Sequence, residues 1–298
     1  VTTDAERTKR FVKAREQRLK AAIDLQRDTA GEVKKALAKA ERDIKNILAA
    51  APSDFRQWHL TQLQESVKRA LIAIDPAAAA AVQGGIDTAW SAGRDLIDGS
   101  FAAAGVDISA DLVAIDTRRL LAMRAFTTDR IGDVTAKLVN RINSELAQTA
   151  IGTQTPFEAA ERVAGILQSG GVKRAGVIVR TQLGQAFSVA AQERKEQAAA
   201  IVPGLKKQWR RSGKLHSRFE HDAIDGQVRD IDKPFDLPNG VTLMHPRDPA
   251  GPLGEIINCG CSSLPFVESW QVTRPGRQPI SDEERQGSRG KRLIAEAF

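Results

Sequence analysis

Tyrosine is missing from this chain, and aromatic residues make up only 5% of its 298 positions. A core of stacked rings is thereby excluded. Alanine supplies much of the 42% apolar content, which favours helices packed at close range. Cysteine occurs twice, at Cys259 and Cys261, which is too few for an extracellular disulfide framework. A bridge across one intervening residue would also be strained. No run approaches the roughly 18 apolar residues of a membrane span, and the best candidate, residues 70–82, is broken by Asp75-Pro76. The start, Val1-Thr2-Thr3-Asp4, is polar and carries no apolar leader, so synthesis in a reducing cytoplasm is expected. Neither G-x-x-x-x-G-K-[ST] nor G-x-G-x-x-G is present, which removes the common phosphate-cradling loops. Ser262 and Ser263 have no nucleophile-elbow setting. Acidic residues are outnumbered 37 to 44 by Lys and Arg, giving a net charge of +7 and a pI near 9.6. That balance points to nucleic acid or an acidic protein surface as a neighbour.

What is present is mostly helical periodicity. Residues 4–50 read as one long helix with Val12, Leu19, Ile23, Ala30, Val33, Leu37, Ala40, Ile44 and Ile47 as its apolar stripe. Such a helix would be about 70 Å long. So narrow a stripe suits a coiled coil or a long hairpin against a partner. Ser53 or Asp54 can cap a second helix running to about Ile74. Further helices are expected over 76–82, 86–97, 109–125 and 130–149, with breaks at Gly84-Gly85 and at Thr127-Thr128-Asp129. The helix over 130–149 carries Ile131, Val134, Leu138, Ile142 and Leu146 on one face. Thr155-Pro156-Phe157-Glu158 has the spacing of a capped helix start, and Gly170-Gly171 is the expected end of that helix. One more helix is expected over 173–200, before Pro203-Gly204. From Leu205 the composition changes. Strands are expected over 205–211 and 227–231. The six prolines and four glycines between Pro234 and Pro265 imply loop with short strands at most.

These signals divide the chain into an N-terminal helical arm (1–100), a central helical domain (101–203), a Cys/His-containing module (204–270) and a polar, flexible tail (271–298). The fold class is mainly α, with a long N-terminal helix or helical hairpin and a small irregular α+β module at the C-terminal end.

The module holds the residues with chemistry. His216, His221, His245, Cys259 and Cys261 are candidate ligands for a structural zinc, since any four would fill its tetrahedral shell. A loop-rich segment with little apolar surface also benefits from a staple. The C-x-C spacing is less common than C-x2-C, and small buried cysteines are the simpler alternative. Lys206, Lys207, Arg210, Arg211, Lys214 and Arg218 form a basic run suited to phosphates or an acidic partner. Only Trp209 is interleaved with it, so it lacks the aromatic platform of a single-strand binder. Asp225-Gly226 suits a tight turn. One His221-Asp222 pair is too little for a metal phosphohydrolase, and no catalytic residue is assigned.

The order of these elements resembles the Mu F-like minor head proteins, also called the phage head morphogenesis family. The matching elements are Arg180-Thr181-Gln182 on a helix, Trp209 on a strand, Arg218-x2-His221-x3-Asp225-Gly226, Phe235, and a Pro-rich loop leading to Asn258-Cys259-Gly260-Cys261. Thr155-Pro156 and the helix after it look like the family's approach to this domain. The likeness covers about residues 126–266. Gly260 stands where the family pattern has Arg, and Gly213-Lys214-Leu215-His216 stands where it often has an acid. The resemblance implies a non-enzymatic minor head protein of a tailed phage or prophage. It would be made in the bacterial cytoplasm and carried in the virion head. Its partners would be the portal and other head proteins, with packaged double-stranded DNA as a further candidate contact. Some relatives of this kind carry toxin domains after the module; none is expected in the thirty or so residues after Trp270. A metal-dependent nuclease, with His221 as base, and a plain DNA-binding protein are the alternatives.

Overall fold

A computed structural model describes residues 3–50, 57–73, 75–109, 112, 117–151, 153–212 and 218–267. Six α-helices come first: α1 (Asp4–Ala49), α2 (Gln57–Ile72), α3 (Asp75–Ala103), α4 (Arg118–Ala150), α5 (Pro156–Ile166) and α6 (Lys173–Ala199). A π-helical segment, Leu167–Val172, joins α5 to α6. The module follows as β1 (Leu205–Arg210), α7 (Phe219–Ala223), β2 (Val228–Asp230), β3 (Phe235–Asp236), β4 (Thr242–Leu243), α8 (Leu253–Ile256) and β5 (Ser262–Val267). The chain is thus mainly α, with a long N-terminal helix and a small C-terminal module of short strands and helices. No helix among the described residues is long and apolar enough to cross a membrane. The expected cap at Ser53 or Asp54 and the expected tail over 271–298 lie outside the described residues.

The chain forms two compact units, neither of them a continuous stretch. One comprises residues 1–24, 88–117 and 183–298; the other comprises 25–87 and 118–182. In the second unit α4 packs against α2, α5 and the π-helical segment. Its buried stripe is Ile131, Val134, Leu138, Ile142 and Leu146, which is the periodic face expected from the sequence. Leu63, Val67 and Leu71 of α2, four residues apart, are buried in the same unit. Thr155 caps α5 as its spacing predicts. Its hydroxyl accepts from the Glu158 N–H, and the Glu158 carboxylate accepts from the Thr155 N–H, with Pro156 in the first turn.

Several expected breaks are absent. Gly84 and Gly85 lie inside α3, where a glycine costs about 1 kcal/mol against alanine. Burial of Val82 and Ile86 on either side outweighs that cost. Helix α4 runs through Thr127-Thr128-Asp129 without a cap, because the Thr127 hydroxyl donates back to the Met123 carbonyl inside the helix. It begins at Arg118; residues 110, 111 and 113–116 of the helix expected from 109 lie outside the described residues. Gly170-Gly171 falls within the π-helical turn, and a side chain at Gly171 would come within 2.9 Å of Leu138. The glycine therefore admits a close neighbour instead of ending a helix. In α1, the stripe holds from Ala30 to Ile44, but its first half is displaced by one position. Phe11, Ala14, Arg15 and Ala22 are buried, while Ile23 is exposed. The larger Phe11 ring packs on Phe101 at 5.2 Å, and this sets the inward face.

In the first unit, α6 is buried on almost every side from Leu183 to Lys195. It meets α3 closely at Gly93, where a side chain would strike the Phe187 carbonyl. The module's main sheet has the order β2-β1-β5, antiparallel throughout, with Lys206 opposite Asp230 and Trp209 opposite Ser263. A two-stranded ladder pairs Phe235 with Leu243. Strand β5 is one of the short strands expected at the end of the Pro/Gly-rich passage, six residues long. Its Pro265 is tolerated because β5 lies at the sheet edge, where a missing N–H breaks no ladder.

Candidate functional site

Trp209, near the end of β1, is the centre of the module. It is fully buried and packs with Ile224, Phe235, Leu237, Leu243, Cys259 and Cys261. Its ring meets Phe235 and His221 edge-on, at 5.2 and 5.3 Å between centroids. The indole N–H donates to the His221 carbonyl at 3.1 Å, which ties α7 to β1. Asp225 and Gly226 complete that junction. The Arg211 N–H donates to Asp225 Oδ1 at 2.9 Å, and Gly226, at a φ of +84°, donates its N–H to the Trp209 carbonyl. Burial pushes the Asp225 carboxyl up, against the opposing pull of the Arg211 N–H. Both residues build a turn, as their spacing implies.

His221, Cys259 and Cys261 converge. Nδ1 of His221 lies 3.5 Å from the Cys259 sulfur and 3.6 Å from the Cys261 sulfur. These three are the one group of potential metal ligands of this kind among the described residues, and all three are buried. On the opposite edge of the ring, Nε2 lies 2.9 Å from Glu255 Oε2. Asn258, at a φ of +56°, adopts the left-handed backbone that Asn tolerates better than most residues. It turns the chain out of α8 so that both cysteines enter the Trp209 core. The Cys261 thiol, hydrogen-bonded to the Cys259 sulfur, pulls Cys259 down and is itself pushed up. The Ser212 N–H also supports the Cys261 sulfur.

Arg247 backs this cluster and was not legible as a site residue. It is 2% exposed, at a φ of +63°. Its guanidinium donates to the Cys259 carbonyl at 2.7 Å and to the Ser188 hydroxyl at 2.9 Å. Gly184 makes room for it, since a side chain there would lie 2.8 Å from the guanidinium carbon. Burial lowers the Arg247 pKa, while the neighbouring cysteine sulfurs oppose that shift. Glu255 was also missed. An acid four residues ahead of a C-x-C pair is the one sequence signal that could have suggested a partner for a ligand histidine.

The remaining expected site residues are dispersed. His216 and Lys214 lie outside the described residues. His245 is buried but stands apart from the His221–cysteine group, with Nδ1 3.1 Å from the Pro246 carbonyl. Burial lowers its pKa to about 4. Lys207 does not belong to a phosphate-facing patch. It is wholly buried, donates to the Met244 carbonyl at 2.7 Å and lies over the Phe235 ring. Strand alternation explains this, since Leu205, Lys207 and Trp209 share the inward face. Lys206 and Arg210 lie on the other face and are half-buried, Lys206 being 3.8 Å from Asp230. Arg211 sits 3.6 Å from Asp225, and Arg218 donates to the Ile257 carbonyl.

No protein-family profile matches the chain, and no solved structure matches it. The chain is 37% identical over 100 residues to the uncharacterized protein YqbB of Bacillus subtilis, across 33% of this chain and 32% of YqbB. It is 32% identical over 96 residues to the NAD(+)–arginine ADP-ribosyltransferase EFV of Enterococcus faecalis, across 32% of this chain and 19% of EFV. The chain thus spans about a third of one curated relative and a fifth of the other.

Proposed function

We propose that this chain is a non-enzymatic minor head protein of a tailed phage or prophage, carried in the virion and associated with the portal vertex. One observation carries the reading. Trp209, His221, Phe235, Cys259 and Cys261, five of the residues behind the resemblance to the Mu F-like proteins, meet in one packed core, with Asp225-Gly226 forming the turn beside it. Their recurrence in that order is then accounted for by architecture. A base for DNA hydrolysis must reach a phosphate, and His221 is 1% exposed, which weighs against the nuclease alternative. The likeness to EFV covers only a fifth of that enzyme, too small a share to bring its activity to this chain. On this reading the portal and other head proteins are the protein partners. Lys206, Arg210, Arg211 and Arg218 remain the residues offered to double-stranded DNA.

Quantitative mass spectrometry of gradient-purified particles from the induced source tests this. A few copies per particle, co-purifying with the portal, is the expected result. Absence from particles, together with metal-dependent cutting of plasmid DNA that is lost in His221→Ala, would overturn it in favour of the nuclease.

A further inference from the structure

We infer that His221, Cys259 and Cys261 hold one Zn2+ through Nδ1 and two thiolates, with Glu255 as the carboxylate that fixes the imidazole. This does not depend on the head-protein reading. The argument begins with edge lengths. Zinc binds nitrogen at about 2.0–2.1 Å and thiolate at about 2.3 Å, so two such ligands at a tetrahedral angle stand about 3.5 Å apart. The two N···S separations are 3.5 and 3.6 Å.

The equality of those distances matters as much as their size. Nδ1 has one in-plane direction for a lone pair or a proton. A hydrogen bond would turn it towards one sulfur at the expense of the other. A single ion lying between the three atoms gives both separations the same value.

Glu255 selects the tautomer. A carboxylate oxygen 2.9 Å from Nε2, off the line of a hydrogen bond, favours the proton on that nitrogen by its charge and frees the Nδ1 lone pair for a metal. Charge also balances. Zinc with two thiolates is neutral, so binding adds no net charge to a site that already holds one cation, Arg247, and one carboxylate, Glu255. The two thiol protons leave to solvent as the metal enters. Arg247 holds the Cys259 carbonyl and the Ser212 N–H meets the Cys261 sulfur, so both ligand-bearing residues are anchored from behind. No fourth His, Cys, Asp or Glu among the described residues joins the group, which leaves the last tetrahedral corner to water or another ligand. The strands here are two to six residues long. A metal linking α7 to the approach of β5 supplies a cross-link that so small a sheet lacks.

The test uses the full chain purified without chelators. Elemental analysis is expected to give about one zinc per chain, and X-ray absorption two sulfur neighbours at about 2.3 Å with the remaining neighbours nitrogen or oxygen. The double variant Cys259→Ser/Cys261→Ser is expected to lose the metal. Because that variant can fail to fold, Glu255→Gln provides a second reading. It is expected to keep its zinc but yield it to a chelator roughly tenfold more readily or beyond. The inference is overturned if the wild type stays metal-free after zinc loading and dialysis with both thiols open to alkylation. It is equally overturned if the bound zinc has no sulfur neighbour, or if Glu255→Gln holds zinc as firmly as the wild type.

Discussion

Along α4 the buried apolar side chains are Ile131, Val134, Leu138, Ile142 and Leu146, joined only by the neutral Thr127, Thr135 and Thr149, while around Trp209 the buried side chains include Arg247, Lys207, His221, Asp225 and His245. The contrast extends to the whole of each compact unit. Among the described residues, every buried charged or histidine side chain belongs to the unit that contains the module; the other unit buries only Thr and Gln among polar residues. The helical seam depends on removing apolar surface from water, which is non-directional and tolerant. The module's core is held by directed polar contacts whose partners become costly when left alone. A substitution should therefore act differently in the two places, and the following variants test that.

The largest effect is expected for Trp209→Ala. It removes the ring between His221 and Phe235 and leaves the His221 carbonyl without its donor. A loss of about 4 kcal/mol follows from truncating a buried aromatic. Amide hydrogen exchange should show the loss of protection in β1, β2 and residues 219–227, with α4 and α5 little changed. Protection lost equally in α4 would contradict separate support of the two cores.

Leu138→Ala makes the converse cut. Leu138 is 2% exposed and lies against Gly171. The expected cost is about 3 kcal/mol, from lost transfer energy and a partly relaxed cavity. Here exchange should quicken in α4, α5 and residues 167–172, and the Trp209 core should keep its protection.

Acid should act on the module first. Burial holds the His245 pKa at about 4, below its ordinary 6.5, with Lys195, Lys207 and Asp248 as its charged neighbours. Between these values the unfolded chain takes up a proton that the folded chain refuses. Stability is thus complete above pH 6.5 and declines as pH falls towards 4, by an amount on the order of 2–3 kcal/mol. His245→Gln removes that term. Urea midpoints of the variant and the wild type, compared across pH 4 to 7, should converge towards the acid end. Parallel curves would show that His245 titrates as an ordinary exposed group.

The same contrast decides what could be read from the sequence. The α4 stripe and the Thr155–Glu158 capping box were legible because each rests on local spacing along one helix. The breaks expected at Gly84-Gly85 and Gly170-Gly171 were misread for the converse reason. Glycine weakens a helix locally, but Val82, Ile86 and Leu138 come from tertiary packing that local propensity does not contain. The conjunction of His221, Cys259 and Cys261 was expected as part of a larger ligand set, yet their spacing could not say that His245 would point elsewhere. Arg247 and Glu255 escaped notice because a charged residue in a Pro/Gly-rich loop normally faces water. Only the fold shows that Ser188, sixty residues earlier in the chain, waits for the Arg247 guanidinium. The interleaving of the two units was likewise hidden, since it depends on contacts such as the Arg15 guanidinium donating to the Pro265 carbonyl.

The smallest expected difference is also the sharpest comparison, because it makes one substitution in both settings. Gly184→Ala and Gly171→Ala each place a methyl group close to a side chain, at 2.8 Å from Arg247 and 2.9 Å from Leu138 respectively. Intrinsic helix propensity favours alanine by up to about 1 kcal/mol. At position 171 the neighbour is the end of a leucine, held by dispersion alone, and a small rotation relieves the overlap. The net change there should lie within about 0.5 kcal/mol of zero. At position 184 the neighbour is a guanidinium fixed by the Cys259 carbonyl and the Ser188 hydroxyl, and moving it lengthens both buried hydrogen bonds. A net loss of roughly 1–2 kcal/mol is expected. Denaturant midpoints of the two variants measure the difference directly. If Gly184→Ala proves as mild as Gly171→Ala, Arg247 can shift without cost, and the polar core is no more rigid than the apolar seam.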